Sequence, residues 1–275
     1  MIIVAPSYAL SELGIAEAWK PIIGWQNVVT FSNISADGEE SLYPATNLAN
    51  PATNLVWLSD LTVLQYVTCL MGAEPDLDYI GVARHNWGST AIPVTVEGLP
   101  FGGDPDDDGD WTILVPEQVL PDDAPALFRF TGTPLIGIRF KLDADGTAPR
   151  AGVIKAGELI VLQKGVPPGH TPISYGRTVQ SSSPKSQGGD HLGKVVLTAG
   201  LSTSIVQQAL DPAWYRETLE PFRLASATDT FFWAWAPQDY PNEVGYCETT
   251  NDPRPVVNFN TGEIDITFEI AGIAL

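Results

Sequence analysis

Short segments with β-strand character follow one another every ten to fifteen residues through the first 165 residues, and this constrains the fold most. Several of them alternate apolar and polar side chains, and the residues between them are rich in Gly, Pro and Asp. The predicted strands are Asn27–Ile34, Leu64–Met71, Tyr79–Ala83, Ile92–Glu97, Trp111–Val115, Ala126–Phe130, Leu135–Leu142 and Val153–Gln163. Together with 25 glycines and 23 prolines in 275 residues, this spacing predicts a mainly β protein built as a sandwich or barrel.

A domain boundary is predicted at Gly165–Gly169, where two prolines and two glycines form a stiff, exposed joint. It divides the chain into residues 1–164 and 165–275. The polar, low-complexity stretch Thr178–Gly189 then predicts either a long hairpin or an arm. At the other end of the chain, Ser11–Trp19 is compatible with a short helix or an extended arm.

The C-terminal part has the pattern of an α+β unit with one helix. The helix is predicted over Asp211–Phe222, because Asp211 suits the N-cap and Pro212 suits the first helical position. The predicted strands around it are Lys194–Ala199, Thr230–Ala236, Val244–Thr249 and Ile264–Ala271.

The strand Phe231-Phe-Trp-Ala-Trp235 is unusually aromatic. Alternation sends Phe231, Trp233 and Trp235 to one face and the residues between them to the other. Two interpretations stay open: a strand buried on both faces within one chain, or a strand with one face covered by a neighbouring subunit.

The net charge of −19 disfavours direct nucleic-acid binding and docking on an anionic membrane, because both need clustered Lys and Arg. The N-terminus has no signal-peptide pattern, and no run of 18 apolar residues predicts a membrane span, so synthesis and folding in a cytoplasm are expected. Cys69 and Cys247 have no metal-type spacing and are predicted to be unpaired, buried thiols.

Signatures of catalysis are missing from the sequence. It contains no Gly-x-Ser-x-Gly elbow, no P-loop and no dinucleotide fingerprint, and its three histidines have no metal-ligand spacing. We therefore expect a protein that is not an enzyme. A glycosidase or polysaccharide depolymerase stays open as a minor alternative, because 33 acidic residues make carboxylate pairs inevitable.

The acidic loop Asp104–Asp110 is the best candidate for a metal site. Asp104, Asp106 and Asp108 followed by Gly109 resemble the opening of a Ca²⁺ loop, with oxygen ligands at alternate positions and a glycine for the turn. The expected glutamate at the twelfth position is Val115 instead. The loop is therefore either a possible Ca²⁺ site or a solvated acidic turn.

His85, Asn86 and Trp87 form the candidate ligand loop. Imidazole, amide and indole groups can hydrogen-bond to and stack on sugars. A histidine directly after a strand is also a common structural hydrogen-bonding group, so both roles stay open. Trp57 is expected in the core.

The phrases Tyr43–Leu48 (Tyr-Pro-Ala-Thr-Asn-Leu) and Asp78–Ser89, with Trp57 between them, resemble the discoidin-like, galactose-binding jelly rolls of tail proteins from long-tailed bacteriophages. The C-terminal phrases Phe231–Pro237, Glu243–Cys247 and Gly262–Gly272 resemble the ending of phage tail-tip structural proteins, where a helix and a sheet form a tail-tube-like ring module.

The resemblance implies a distal tail protein of the virion, made in the host cytoplasm. It would form a ring with copies of itself, a hexamer in that family, between the tail tube and the tail hub or tip proteins. Its jelly roll would lie outside for stabilisation or contact with a host-surface glycan, but no binding residues transfer. The alternative is a carbohydrate-binding module protein without an assembly role.

Overall fold

The computed structural model describes residues 1–5 and 19–272. The helix or arm predicted over Ser11–Trp19 lies, apart from Trp19, outside these residues. The fold is mainly β, with a galactose-binding-like jelly-roll sandwich and a smaller α+β unit that contains one helix. The predicted fold class is therefore confirmed.

Two sheets face each other in the jelly roll. One has the order β1-β9-β6-β12 and the other has the order β3-β5-β10-β7-β8. The strands are β1 (Ile2–Val4), β3 (Ile34–Ala36), β5 (Leu64–Leu70), β6 (Asp76–Ala83), β7 (Pro93–Leu99), β8 (Thr112–Val119), β9 (Ala126–Pro134), β10 (Gly137–Asp143) and β12 (Val153–Gly157). Neighbours are antiparallel, except that β1 runs parallel to β9. A short pair, β4 (Trp57–Leu58) and β11 (Arg150–Ala151), closes one end.

The jelly-roll core lies between these two sheets. Phe128 of the first sheet meets Phe140 of the second in an edge-to-face contact, with ring centroids 5.3 Å apart. Trp57 and Trp87 are fully buried beside them. Burial of these large rings accounts for much of the free energy that holds the sheets together.

The strand predicted over Asn27–Ile34 is wrong. Only Ile34 is in a strand, and the residues before it form loop and turn. The side-chain amide of Asn27 bonds to the backbone of Val29, and the amide of Asn33 donates to the carbonyl of Val28. These local bonds satisfy backbone groups that a strand would have paired across a sheet. The predicted strand Val153–Gln163 is divided at Glu158 into β12 and a further strand, β13 (Leu159–Val161).

The second unit contains a sheet of eight strands. Seven of them follow the order β13-β2-β16-β17-β19-β15-β14, and β18 also pairs with β19. The strands are β2 (Ile22–Gly24), β13 (Leu159–Val161), β14 (Arg177–Ser182), β15 (Val195–Leu210), β16 (Phe231–Ala234), β17 (Val244–Thr249), β18 (Val256–Val257) and β19 (Ile264–Gly272). Because β2 and β13 precede Gly165, two short strands from the first part of the chain complete the sheet of the second. The division at 164/165 stays a prediction.

Helix α1 spans residues 212–225 as Pro212–Trp214, a π-helical segment Tyr215–Leu219 and Glu220–Ala225. The side chain of Asp211 accepts from the amides of Ala213 and Trp214, which confirms the predicted N-cap. Phe222 packs against Phe231, with ring centroids 5.0 Å apart. None of the helices in the described chain is long and apolar enough to cross a membrane.

The aromatic strand is buried on both faces by its own chain. Phe231 and Trp233 belong to the core under α1, and Phe232 packs against the jelly roll in a cluster that contains Tyr79. The contact is close at Gly81, where a Cβ atom would lie 2.6 Å from the ring of Phe232. The covering by a neighbouring subunit is therefore not needed to explain this strand.

Both cysteines are free and buried, as the sequence predicts. Burial raises the pKa of the Cys69 thiol to about 12. A thiol with such a pKa stays protonated and unreactive at neutral pH.

Candidate functional site

A groove of about 500 Å³ lies at one end of the jelly roll. It is formed by the loop after β6, the loop before β9 and the short strand β11. The groove is lined by Arg84, His85, Asp122, Asp123, Ala124 and Arg150. It therefore contains one residue of the predicted ligand loop and two arginines that the sequence analysis did not single out.

Arg84 is held in an unusual backbone conformation directly after β6. Its φ is 60°, in the left-handed region that few non-glycine residues adopt. Gly152 makes room for it, because a Cβ atom there would lie 2.9 Å from the Cβ of Arg84. Residues kept in such conformations are concentrated at functional sites.

His85 lines the groove, and both nitrogens of its ring are hydrogen-bonded within the protein. Its Nδ1 accepts from the amide of Trp87 at 3.2 Å, so Nε2 carries the hydrogen and donates to the carbonyl of Ala124 at 2.9 Å. Burial lowers the pKa of His85 to about 4. The imidazole is thus neutral at physiological pH, and it ties the loop after β6 to the loop before β9.

Asn86 and Trp87 also face inward. The Oδ1 of Asn86 accepts from the amide of Arg150 at 2.8 Å, and its Nδ2 donates to the carbonyl of Ala148 at 3.0 Å. Trp87 is 0 % exposed and packs on Phe140. These contacts favour the structural role for all three side chains: Trp87 belongs to the core, and His85 and Asn86 hold the groove in shape. The ligand role that the sequence also left open stays a prediction.

Charged side chains give the groove its chemistry. Asp122 and Asp123 accept from the backbone amides of Ala124 and Ser89, which fixes their carboxylates. Within residues 1–5 and 19–272, no ion pair involves Arg84 or Arg150. Guanidinium donors and fixed carboxylate acceptors can together bind a ligand that carries vicinal hydroxyl or carboxylate groups.

The acidic loop lies at the opposite end of the sandwich, because β7 starts after the groove loop and leads away from it. Two of the three candidate ligands have carboxylates that are bonded within the protein. Asp108 binds Arg139 at 2.8 Å and accepts from the hydroxyl of Tyr66, and Asp104 accepts from the amide of Asp106. The described residues contain no group of three or more His, Cys, Asp or Glu that could hold a metal ion. The contacts fit the solvated acidic turn that the sequence left open, and the possible Ca²⁺ site at Asp104, Asp106 and Asp108 stays a prediction.

Arg139 connects this loop to the core. Its Nε lies 2.7 Å from Glu97, and its guanidinium lies between the rings of Tyr66 and Trp111, at 3.9 and 4.2 Å from their centroids. The acidic loop is thus anchored by a cation from the protein itself. This explains its position without a bound metal.

Comparisons with known proteins found resemblance in structure and none in sequence. No protein-family model matches the chain, and the search of curated proteins found no match. A chitosan-binding module from a chitosanase/glucanase of Paenibacillus sp. IK-5 is similar in structure, with 15% identity and a TM-score of 0.42, over 48% of this chain and 99% of that one.

A family 32 carbohydrate-binding module of Clostridium perfringens NanJ, in complex with galactose, has 14% identity and a TM-score of 0.40, over 50% of this chain and 99% of that one. A pectin-binding module has 15% identity and a TM-score of 0.37, over 49% of this chain and 92% of that one. Because these sequence identities and TM-scores are low, the description of the fold rests on the strand order of this chain itself.

Proposed function

We propose that the protein is a non-enzymatic structural component of a phage tail tip that forms a ring of its own copies. In this proposal the α+β unit assembles between tail-tube and tip proteins, and the jelly roll lies on the outside of the virion tail. The resemblance of the sequence to phage tail proteins motivates the proposal. One observation, the hairpin β14–β15, carries it furthest.

The hairpin is an exposed arm at the edge of the large sheet. β14 is the last strand in the sheet order, so one of its backbone edges is unpaired in the described structure. All six of its residues are exposed. Five apolar side chains on the arm are at least 42% exposed: Val179, Leu192, Val195, Val196 and Leu197. An open strand edge with exposed apolar groups favours association, so it supports assembly with another chain.

Charge substitutions on the arm test the assembly role. We expect the wild-type chain to form rings in electron micrographs and native mass spectra, and Val195→Lys with Leu197→Lys to convert them to monomers with little change in melting temperature. Ile113→Lys, an equally exposed position on β8 of the jelly roll, is the matched control and should still form rings. A wild-type monomer at micromolar concentration in the presence of tail partners would contradict the assembly role.

The groove supports a second role, contact with a host-surface glycan. Arg84 and Arg150, which form no ion pair within the described residues, supply donors. Asp122 and Asp123 supply fixed acceptors, and sugars offer hydroxyl groups to both. This role is compatible with assembly. It is also what a carbohydrate-binding protein without an assembly role would need.

Alanine substitution of either groove arginine is expected to weaken glycan binding about tenfold or more, since each removes a charge-assisted hydrogen bond. The measurement is a glycan array with wild-type protein, followed by titration of the hits with Arg84→Ala and Arg150→Ala. Arg254→Ala removes an exposed arginine of the other unit and should bind normally. An array without hits, or hits that both groove variants retain, would remove the glycan role.

A further inference from the structure

A second cavity, of about 340 Å³, lies at the junction of the jelly roll and the α+β unit. Pro51 comes from the polar loop after Tyr43, Lys155 comes from β12, and Trp25 and Asp229 come from the segments around the large sheet. The hydroxyl of Tyr246 donates to the carbonyl of Pro51 at 3.1 Å, which fixes this loop against the second unit. The cavity walls are therefore held by contacts between the two parts of the chain.

Lys155 is an unusual residue to find at such a place. It is 4% exposed, and its Nζ donates to the carbonyl of Thr230 at 2.5 Å. An ammonium group has three hydrogens to donate, and this is the one hydrogen bond recorded for it in the described chain. Burial lowers the pKa of Lys155 to about 8, so the amine is mostly charged at neutral pH and is short of acceptors.

Trp25 also lines the cavity. The indole Nε1 of Trp25 is buried and has no hydrogen-bond partner within the described residues. Asn27 cannot help, because its amide already bonds to the backbone of Val29 and Ala156. Buried donors are nearly always paired, so the ammonium hydrogens of Lys155 that have no acceptor within the described residues are the donors that a bound molecule would satisfy.

Asp229 sets the charge of that molecule. It is exposed and contributes a carboxylate to the same cavity. The whole chain has a net charge of −19, so a neutral ligand is favoured over an anion. A sugar hydroxyl can both accept and donate a hydrogen bond, and it suits the ammonium and the carboxylate at once.

We propose that the junction cavity binds one neutral sugar residue. A hydroxyl oxygen accepts from Lys155, and hydroxyl hydrogens are donated to Asp229. The cavity volume is at the lower end of the range for ligand pockets, which fits a single sugar unit. This site is separate from the groove at the end of the jelly roll, and it does not depend on ligand binding there.

The test follows the indole N–H signal of Trp25 in ¹H–¹⁵N spectra of the full chain, assigned with Trp25→Phe. The probes are galactose, N-acetylglucosamine and sodium acetate. We expect a saturable shift of the Trp25 signal with at least one of the sugars. Asp229→Asn should weaken this binding about tenfold, and Asp239→Asn, an exposed aspartate elsewhere, should leave it unchanged.

Every result of this test either supports or contradicts sugar binding in the junction cavity. Arg84→Ala should leave the Trp25 shift intact, which separates this site from the groove. Lys155→Met should abolish the shift, but Asp229 is exposed, so its variant answers the question even if Lys155→Met does not fold. A Trp25 signal that no sugar moves, or one that only acetate moves, would overturn the proposal.

Discussion

Replacing Arg139 with alanine is expected to lower the free energy of unfolding by about 3–5 kcal/mol. Arg139 and Glu97 are both buried, with side chains 5% and 8% exposed, and their ion pair is 2.7 Å long. Without the guanidinium, the carboxylate of Glu97 keeps its desolvation cost and loses its partner. The rings of Tyr66 and Trp111 lose the cation between them as well. Denaturant unfolding monitored by tryptophan fluorescence measures the loss.

Paired variants separate these contributions. Arg139→Met with Glu97→Gln removes both charges and should recover much of the stability, because no uncompensated charge stays buried. Asp108→Asn changes the partner that is 68% exposed, and it should cost less than about 1 kcal/mol. If Arg139→Ala cost no more than Asp108→Asn, the buried pair would not be the anchor described above.

Trp87→Ala is expected to cost about 3–5 kcal/mol, because it removes a fully buried indole from the centre of the jelly-roll core. The cavity would lie next to Phe140, whose ring centroid is 5.1 Å from that of Trp87. Phe101→Ala is the matched control, since this aromatic side chain is 77% exposed and its loss should change stability by no more than about 0.5 kcal/mol. Thermal and denaturant unfolding measure both variants.

A third variant tests the role of the indole itself. The Nε1 of Trp87 has no hydrogen-bond partner in the described structure, so Trp87→Phe should be much less harmful than Trp87→Ala. If a Trp87 variant kept its stability but lost glycan binding, the ligand role that the sequence left open would be favoured over the core role.

Local patterns identified most of the elements. Alternation in Leu64–Met71 and Leu135–Leu142 predicted β5 and β10 closely, because one face of each strand must be buried. The Asp-Pro pair at 211–212 located the start of α1. The β-branched residues of Asn27–Ile34 led to a wrong strand prediction. The side-chain amides of Asn27 and Asn33 bond to nearby backbone groups and compete with strand pairing.

The candidate site was harder to predict, because nearness in sequence does not say which way a side chain points. His85-Asn86-Trp87 lies at the end of the sandwich where the groove is formed, and all three side chains make contacts within the fold. The groove arginines, 66 positions apart, come together only when β6 and β11 meet the same end of the jelly roll. A positively charged residue directly after a strand was the one local signal for Arg84.

The sequence by itself determined the class of the fold: the spacing of its strands, its turn residues and its helix cap follow from local conformational preference and from the two-residue period of a half-buried strand. Only the tertiary structure decided what covers the aromatic strand, which carboxylates are free and where free donors collect. Those outcomes depend on contacts between distant segments, such as Gly81 against Phe232, Arg139 against Asp108 and Lys155 against Thr230. A hydrogen bond or an ion pair between distant residues forms only when the fold brings both partners together, and no local pattern encodes that meeting.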